Sequence, residues 1–110
     1  MDVKPRELVD FETSEGKIPF RDWLDSLRDK QTRAIIDARL VRVRRGNFGH
    51  CKPVGEGVQE LKIDFGPGFR VYFGLDGEVL VVLLSGGSKA TQSKDIKQAK
   101  AYWREYRSLR

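Results

Sequence analysis

At 110 residues, 39% hydrophobic and 34% charged, the chain is long enough to bury one core and too short for two. No apolar run nears the roughly 20 residues that span a bilayer. The opening Met1-Asp2-Val3-Lys4-Pro5 lacks the basic-then-apolar order of a secretory leader, and the single Cys51 excludes an internal disulfide framework, so a reducing, cytoplasmic setting is expected. A formal net charge of +5 favours acidic partners, nucleic acid first among them, over the plainer alternative of a mildly basic protein with no polyanion partner.

Residues 6–11 have the weak alternation of a first strand, and Thr13-Ser14-Glu15-Gly16 reads as a loop. Phe20, Trp23, Leu24 and Leu27 recur at i, i+3, i+4 and i+7, which predicts a short amphipathic helix after Pro19. Asp29 can cap a second, longer helix with Ile36, Leu40 and Val43 along one face and Arg33, Arg39, Arg42, Arg44 and Arg45 elsewhere, stopped by Gly46. Residues 46–57, with four glycines, read as a long connecting loop. Strands follow at 58–65, after the Gly66-Pro67-Gly68 turn at 69–75, and after the hairpin signal Asp76-Gly77 at 79–85. That last strand is apolar on both faces, which predicts a central position covered on both sides. Gly86-Gly87-Ser88-Lys89 breaks the pattern. Thr91 or Ser93 can then cap a final helix with Ile96, Ala99, Trp103 and Tyr106 as its apolar stripe and Lys97, Lys100, Arg104 and Arg107 as a basic stripe one position further on. The order β, α, α, β, β, β, α over residues 1–110 predicts a single α+β domain with an antiparallel meander at its centre.

The most informative stretch is ELKIDFGPGFRVY, 60–72. Successive side chains on a strand point to opposite faces. Glu60, Lys62 and Asp64 therefore share one face, and Leu61, Ile63 and Phe65 the other. If the turn pairs Phe65 with Phe69, Asp64 lies opposite Arg70 and Lys62 opposite Tyr72, while Phe65, Phe69, Val71 and Phe73 enter the core. A carboxylate, a lysine, an arginine and a phenol then crowd onto one sheet face.

Such a cluster meets the needs of metal-free RNA cleavage, in which a base removes the ribose 2′-hydroxyl proton, cations stabilise the phosphorane, and an acid protonates the leaving oxygen. Glu60 is a candidate base, and Arg70 offers a planar fork matched to phosphate oxygens. Lys62 and Lys89 add point charges, and Tyr72 or a phenol of the last helix can donate a proton. Read singly, each residue has a plainer account: Asp64 with Arg70 as a cross-strand ion pair, Glu60 with Lys62 as a solvated edge, Tyr72 as a half-buried sheet phenol, Trp103 and Tyr106 as core. Taken with the basic helices, they describe a phosphate-handling surface. His50 and Cys51 stand together in a glycine-rich loop with no further metal ligand at useful spacing, so both read as incidental and no metal or other cofactor is expected. Gly55-Glu56-Gly57 precedes a strand rather than a helix and does not match a P-loop.

The succession FRDWLDSL (20–27), RLVRVRRGNFG (39–49), VGEGVQELKIDFGPGFRVYF (54–73), LLSGGSKATQSKDIKQA (83–99) and AYW (101–103) resembles the RelE/ParE toxin superfamily, in its HigB-like branch of addiction module killer proteins. The resemblance runs from about Phe11 to Tyr106. It implies a RelE-like α+β fold: a small antiparallel sheet with two N-terminal helices on one face and a C-terminal helix. It also implies a type II toxin held by a cognate antitoxin, expected to be a helix-turn-helix protein covering the basic cleft, with the ribosome and messenger RNA as targets and no membrane role. Arg70 matches the family's arginine strand position, Lys62 a basic position on the preceding strand, Lys89 the lysine after the last strand, and Glu60 a frequent glutamate. Tyr72, Lys97, Lys100 and Arg104 are the expected substrate-binding set. The chain lacks a histidine near Lys89 and an obvious terminal tyrosine acid, unless Tyr102 or Tyr106 serves. The expected activity is a ribosome-dependent, metal-independent endoribonuclease. The alternatives are a ParE-like inhibitor of DNA gyrase on the same scaffold and a catalytically inactive RNA-binding remnant.

Overall fold

The computed structural model describes residues 4–109; Met1 to Val3, part of the opening used to argue against a leader, lie outside them. In chain order the elements are β1 (Glu7–Asp10), α1 (Pro19–Ser26), α2 (Lys30–Arg44), β2 (Cys51–Gly55), β3 (Val58–Ile63), β4 (Phe69–Asp76), β5 (Leu80–Ser88), a 3-10 turn (Lys89–Thr91) and α3 (Gln92–Ser108). The sheet order is β1-β5-β4-β3-β2. Strands β3 to β5 form the expected antiparallel meander, β2 extends it at the β3 edge, and β1 adds to β5 in parallel, Glu7 beside Leu80 and Asp10 beside Leu83.

The sheet is covered on both sides. Phe20 and Leu24 of α1 and Ile36, Leu40 and Val43 of α2 pack with Leu61, Val71, Phe73, Val81 and Leu83 on one face. Ala99 and Trp103 of α3 pack with Val58, Tyr72, Val82 and Leu84 on the other. Successive β5 residues thus enter different cores, which is why that strand carries no polar alternation. Helix α1 starts at Pro19, whose missing N–H costs nothing there. Asp29 caps α2 by accepting from the Thr32 hydroxyl at 2.7 Å and the Gln31 N–H at 3.2 Å, and these bonds hold its carboxyl below the ordinary range. Gly46, at φ 92°, stops that helix as expected.

Three expectations need correction. Residues 46–57 are not all loop, because Cys51–Gly55 is an edge strand paired to β3. Pro53 hid it, yet proline is tolerated on an edge strand, and Glu56-Gly57, with φ of 54° and 86°, closes a two-residue hairpin whose left-handed torsions suit strand twist. The β3–β4 register is also shifted: Ile63 pairs with Phe69, Lys62 with Arg70 and Glu60 with Tyr72. Asp64 and Phe65 leave the ladder, the Phe65 N–H donating to the Ile63 carbonyl and the Gly68 N–H to the Phe65 carbonyl, so the turn spans five residues instead of three. The shift is even, so the assignment of faces survives.

Finally, β5 continues through Gly86 and Gly87 to Ser88. Tyr72 pairs with Ser85 but Phe73 with Leu83, so β5 carries one extra residue there, and the bulge reverses its alternation. Gly86 consequently lies under the Trp23 ring and Gly87 under the Asp95 carboxylate, where any side chain would collide.

Candidate functional site

The α3 side of the sheet carries two neighbouring cross-strand rows. One runs Lys52–Glu60–Tyr72–Ser85 and the other His50–Lys62–Arg70–Gly87. His50 joins the second because its carbonyl accepts the Lys62 N–H at 3.0 Å.

In the first row Glu60 is 1% exposed and Tyr72 fully buried. The Tyr72 hydroxyl donates to Glu60 Oε2 at 3.2 Å, and Gln92 Nε2, at the start of α3, donates to the same oxygen at 2.8 Å. Burial first, then the charge of Glu60 and their hydrogen bond, pushes the Tyr72 phenol well above its ordinary value. A phenol so held is a poor proton donor, and a carboxylate so covered is closed to substrate. The expected roles of Glu60 as base and Tyr72 as a substrate contact do not match this geometry. Together they tie β3 and β4 to α3.

The second row borders a cleft of about 320 Å³ lined by Lys62, Asp64, Phe65, Gly66, Pro67, Gly68, Arg70 and Lys89. Arg70 is 5% exposed, and its Nε and Nη1 find no hydrogen-bond partner among the described residues. Its neighbour on β5 is Gly87, so no side chain stands beside it there. The Asp95 carboxylate above Gly87 is engaged by the Thr91 hydroxyl instead. A Cβ at Gly68 would sit 3.2 Å from Arg70 Nη1, so the guanidinium lies against bare backbone. Taking a guanidinium out of water without a partner costs several kcal/mol, on the order of the penalty for any buried ion. Arg6 Nε is also unpaired, but that guanidinium stands 5.2 Å over the Phe48 ring.

Lys62 and Lys89 complete the cationic wall. Lys62 Nζ lies 3.7 Å from Asp64 Oδ1, both groups being substantially exposed. The Lys89 N–H donates to the Gly68 carbonyl at 3.0 Å, which moors the end of β5 to the turn. Three cationic side chains therefore face one carboxylate in the cleft lining. Phe65, expected wholly in the core, both packs on it and forms part of the cleft wall.

Three predicted contacts stand elsewhere. Lys100 and Arg104 pair with Glu56 at 3.7 and 3.0 Å, at the far end of β3 from the cleft, and Lys97 is exposed on α3 without lining it. Their helical spacing was legible, but nothing local announced that the Glu56-Gly57 turn would reach two of them. His50, read as incidental, stands beside the cleft, its Nδ1 3.9 Å from Asp64 Oδ2. The Glu56-Gly57 hairpin alone would set His50 opposite Ile63; the irregularity between Pro53 and Gly55 shifts the register by one residue and brings His50 level with Lys62. Cys51 is half-buried against the α1/α2 core, and burial pushes its thiol up, which suits an inert residue. Among the described residues no group of three or more acidic, histidine or cysteine side chains is arranged to hold a metal ion, and no helix is long and apolar enough to cross a membrane.

Comparison with known proteins adds to this geometry. An uncharacterised protein of Haemophilus influenzae (strain ATCC 51907 / DSM 11121 / KW20 / Rd) is 51% identical over 83 residues, covering 76% of this chain and 84% of that protein. Residues 22–105, from α1 into the last turns of α3 and including the whole cleft, match the profile of the phage-derived protein Gp49-like family (DUF891). The chain belongs to that family, a family of type II toxin–antitoxin toxins related to the RelE-like toxins.

Proposed function

We propose that this toxin is a ribosome-dependent messenger-RNA endoribonuclease of the HigB-like kind, and that the cleft bordered by β3, β4 and the end of β5 holds the scissile phosphate. The observation that carries the reading is Arg70: a buried guanidinium, unpaired at Nε and Nη1, in a cleft that also holds Lys62 and Lys89. A planar fork held without a protein carboxylate is matched to two phosphate oxygens. In this reading the ribose 2′-oxygen attacks phosphorus, the bond to the 5′-oxygen breaks, and Arg70 with the two lysines stabilises the extra charge of the phosphorane. Donors fixed before the reaction need no reorganisation as that charge develops. Glu60 takes no proton here, because its carboxylate already serves Tyr72 and Gln92.

Family membership implies an antitoxin partner. A neighbouring helix-turn-helix protein is the expected form of it, and an acidic or amphipathic segment laid across the cationic cleft would neutralise the charge on which cleavage depends.

The test is to add the purified protein to translating ribosomes and follow the message, with gyrase supercoiling assayed in parallel. The reading predicts cut message and normal supercoiling. Intact message with blocked supercoiling would transfer the toxin to the gyrase-inhibiting class, and intact message with normal supercoiling would leave only an RNA-binding role.

A further inference from the structure

The cationic row explains how a phosphorane is stabilised but leaves open which group removes the 2′-proton. Glu60 is sealed under α3, the Tyr72 phenol is held protonated, and Cys51 faces the other side of the sheet. A group able to accept a proton near neutral pH has to come from elsewhere around the cleft.

His50 meets the geometric conditions. It stands level with Lys62, about 5 Å away across one strand gap, and about 10 Å from Arg70 across two. Cys51 faces the α1/α2 core, so alternation turns His50 to the cleft side, in agreement with its approach to Asp64. Its backbone is held from below: Arg39 Nη2 donates to the Phe48 carbonyl at 3.1 Å, and the Arg39 and Arg42 guanidiniums pack under Gly49. Asp64 lies on the Nδ1 side of the ring, which leaves Nε2 for a substrate. The charged groups around the imidazole are thus Asp64 of the turn, Lys62 of β3, Lys52 on its own strand, and Arg39 and Arg42 of α2. The 3.9 Å approach of Asp64 is loose, but contacts between catalytic groups commonly tighten only around bound substrate.

Resting on the nuclease reading above, we infer that His50 is the general base of the cleft and that Asp64 positions it. Neutral His50 Nε2 takes the proton of the 2′-hydroxyl as the 2′-oxygen bonds to phosphorus. The bond from phosphorus to the 5′-oxygen breaks, and that oxygen takes a proton from solvent. The products are a 2′,3′-cyclic phosphate, a 5′-hydroxyl and an imidazolium beside Asp64, which returns its proton to water. An aspartate beside the ring stabilises the imidazolium as it forms.

The experiment is single-turnover cleavage of ribosome-bound message across about pH 5.5–8, the range in which an ordinary imidazole changes charge. Wild type, His50→Gln, His50→Ala and Arg70→Ala are compared, with circular dichroism on each variant. The expected result is a wild-type rate that falls toward acid pH and a His50→Gln rate lower by about a hundredfold or more near neutrality with that fall abolished. Added imidazole should restore part of the activity of His50→Ala. A folded His50→Gln protein that cleaves at near wild-type rate, or keeps the acid-side fall, overturns the assignment of His50 and leaves the nuclease reading intact. A wild-type protein that leaves the message whole overturns the nuclease reading, and the base with it.

Discussion

Two rows of side chains lie next to each other on the same face of the same strands, and they treat polar groups in opposite ways. In the row through Glu60 and Tyr72, carboxylate, phenol and the Gln92 amide satisfy one another under α3, and Ser85 Oγ alone is left without a partner. One step along, the row through Lys62 and Arg70 leaves a buried guanidinium unpaired at two nitrogens beside an open cleft. A protein can bury polar groups cheaply when they are mutually bonded. It retains a buried, unsatisfied charge at a cost to its own stability, and such cost concentrates where an external group will complete the site. The contrast separates struts from ligand-binding groups better than residue type does, since both rows contain the residues that RNA cleavage calls for.

That contrast can be broken by mutation. Arg70→Ala carries the largest expected effect: cleavage should fall a hundred- to thousandfold, about 3 kcal/mol, while the melting temperature holds or rises because a buried unpaired charge is gone. Loss of stability in step with loss of activity would put Arg70 among the struts. Glu60→Ala should do the reverse. It leaves the Tyr72 hydroxyl and the Gln92 amide without their acceptor, at about 1–3 kcal/mol each, so urea unfolding should move to lower concentration while the folded fraction still cleaves.

Tyr72→Phe sharpens the comparison through pH. The folded phenol titrates above its ordinary value of 10.0. Its contribution to stability is therefore fully present below about pH 10 and is lost as pH rises through the raised folded value. The wild type should weaken over that alkaline window, and Tyr72→Phe should remove this component while lowering stability near neutrality by about 1 kcal/mol. Smallest of all, Lys100→Ala and Arg104→Ala should cost no more than the ~0–1 kcal/mol of exposed ion pairs and leave cleavage unchanged. A large loss of cleavage in either would extend the substrate path to the Glu56 end of the sheet.

The faces of the sheet were legible because alternation is a local property: residues 60, 62, 70 and 72 stay together under any even change of register. The register itself was not, because Asp64 and Phe65 have ordinary strand character, and only their turn bonds remove them from the ladder. Capping of α2 by Asp29 and its stop at Gly46 were readable from single residues. Strand β2 was hidden by Pro53, and with it the alignment of His50 with Lys62. The covering of Glu60 depends on Gln92, 32 residues away, and no pattern near either residue encodes that contact. Chemistry was visible as residue types on a face, whereas the division of that face into a closed row and an open one arises only when α3 docks.

The most direct test is a crystal structure of the protein with a dinucleotide whose reacting ribose lacks its 2′-hydroxyl, so that it binds without being cut. Non-bridging phosphate oxygens should lie within hydrogen-bond distance of the Arg70 guanidinium, with Lys62 and Lys89 closing on the same group. A nucleotide bound elsewhere, with Arg70 turned to pair with Asp95 or Glu60, would contradict the account.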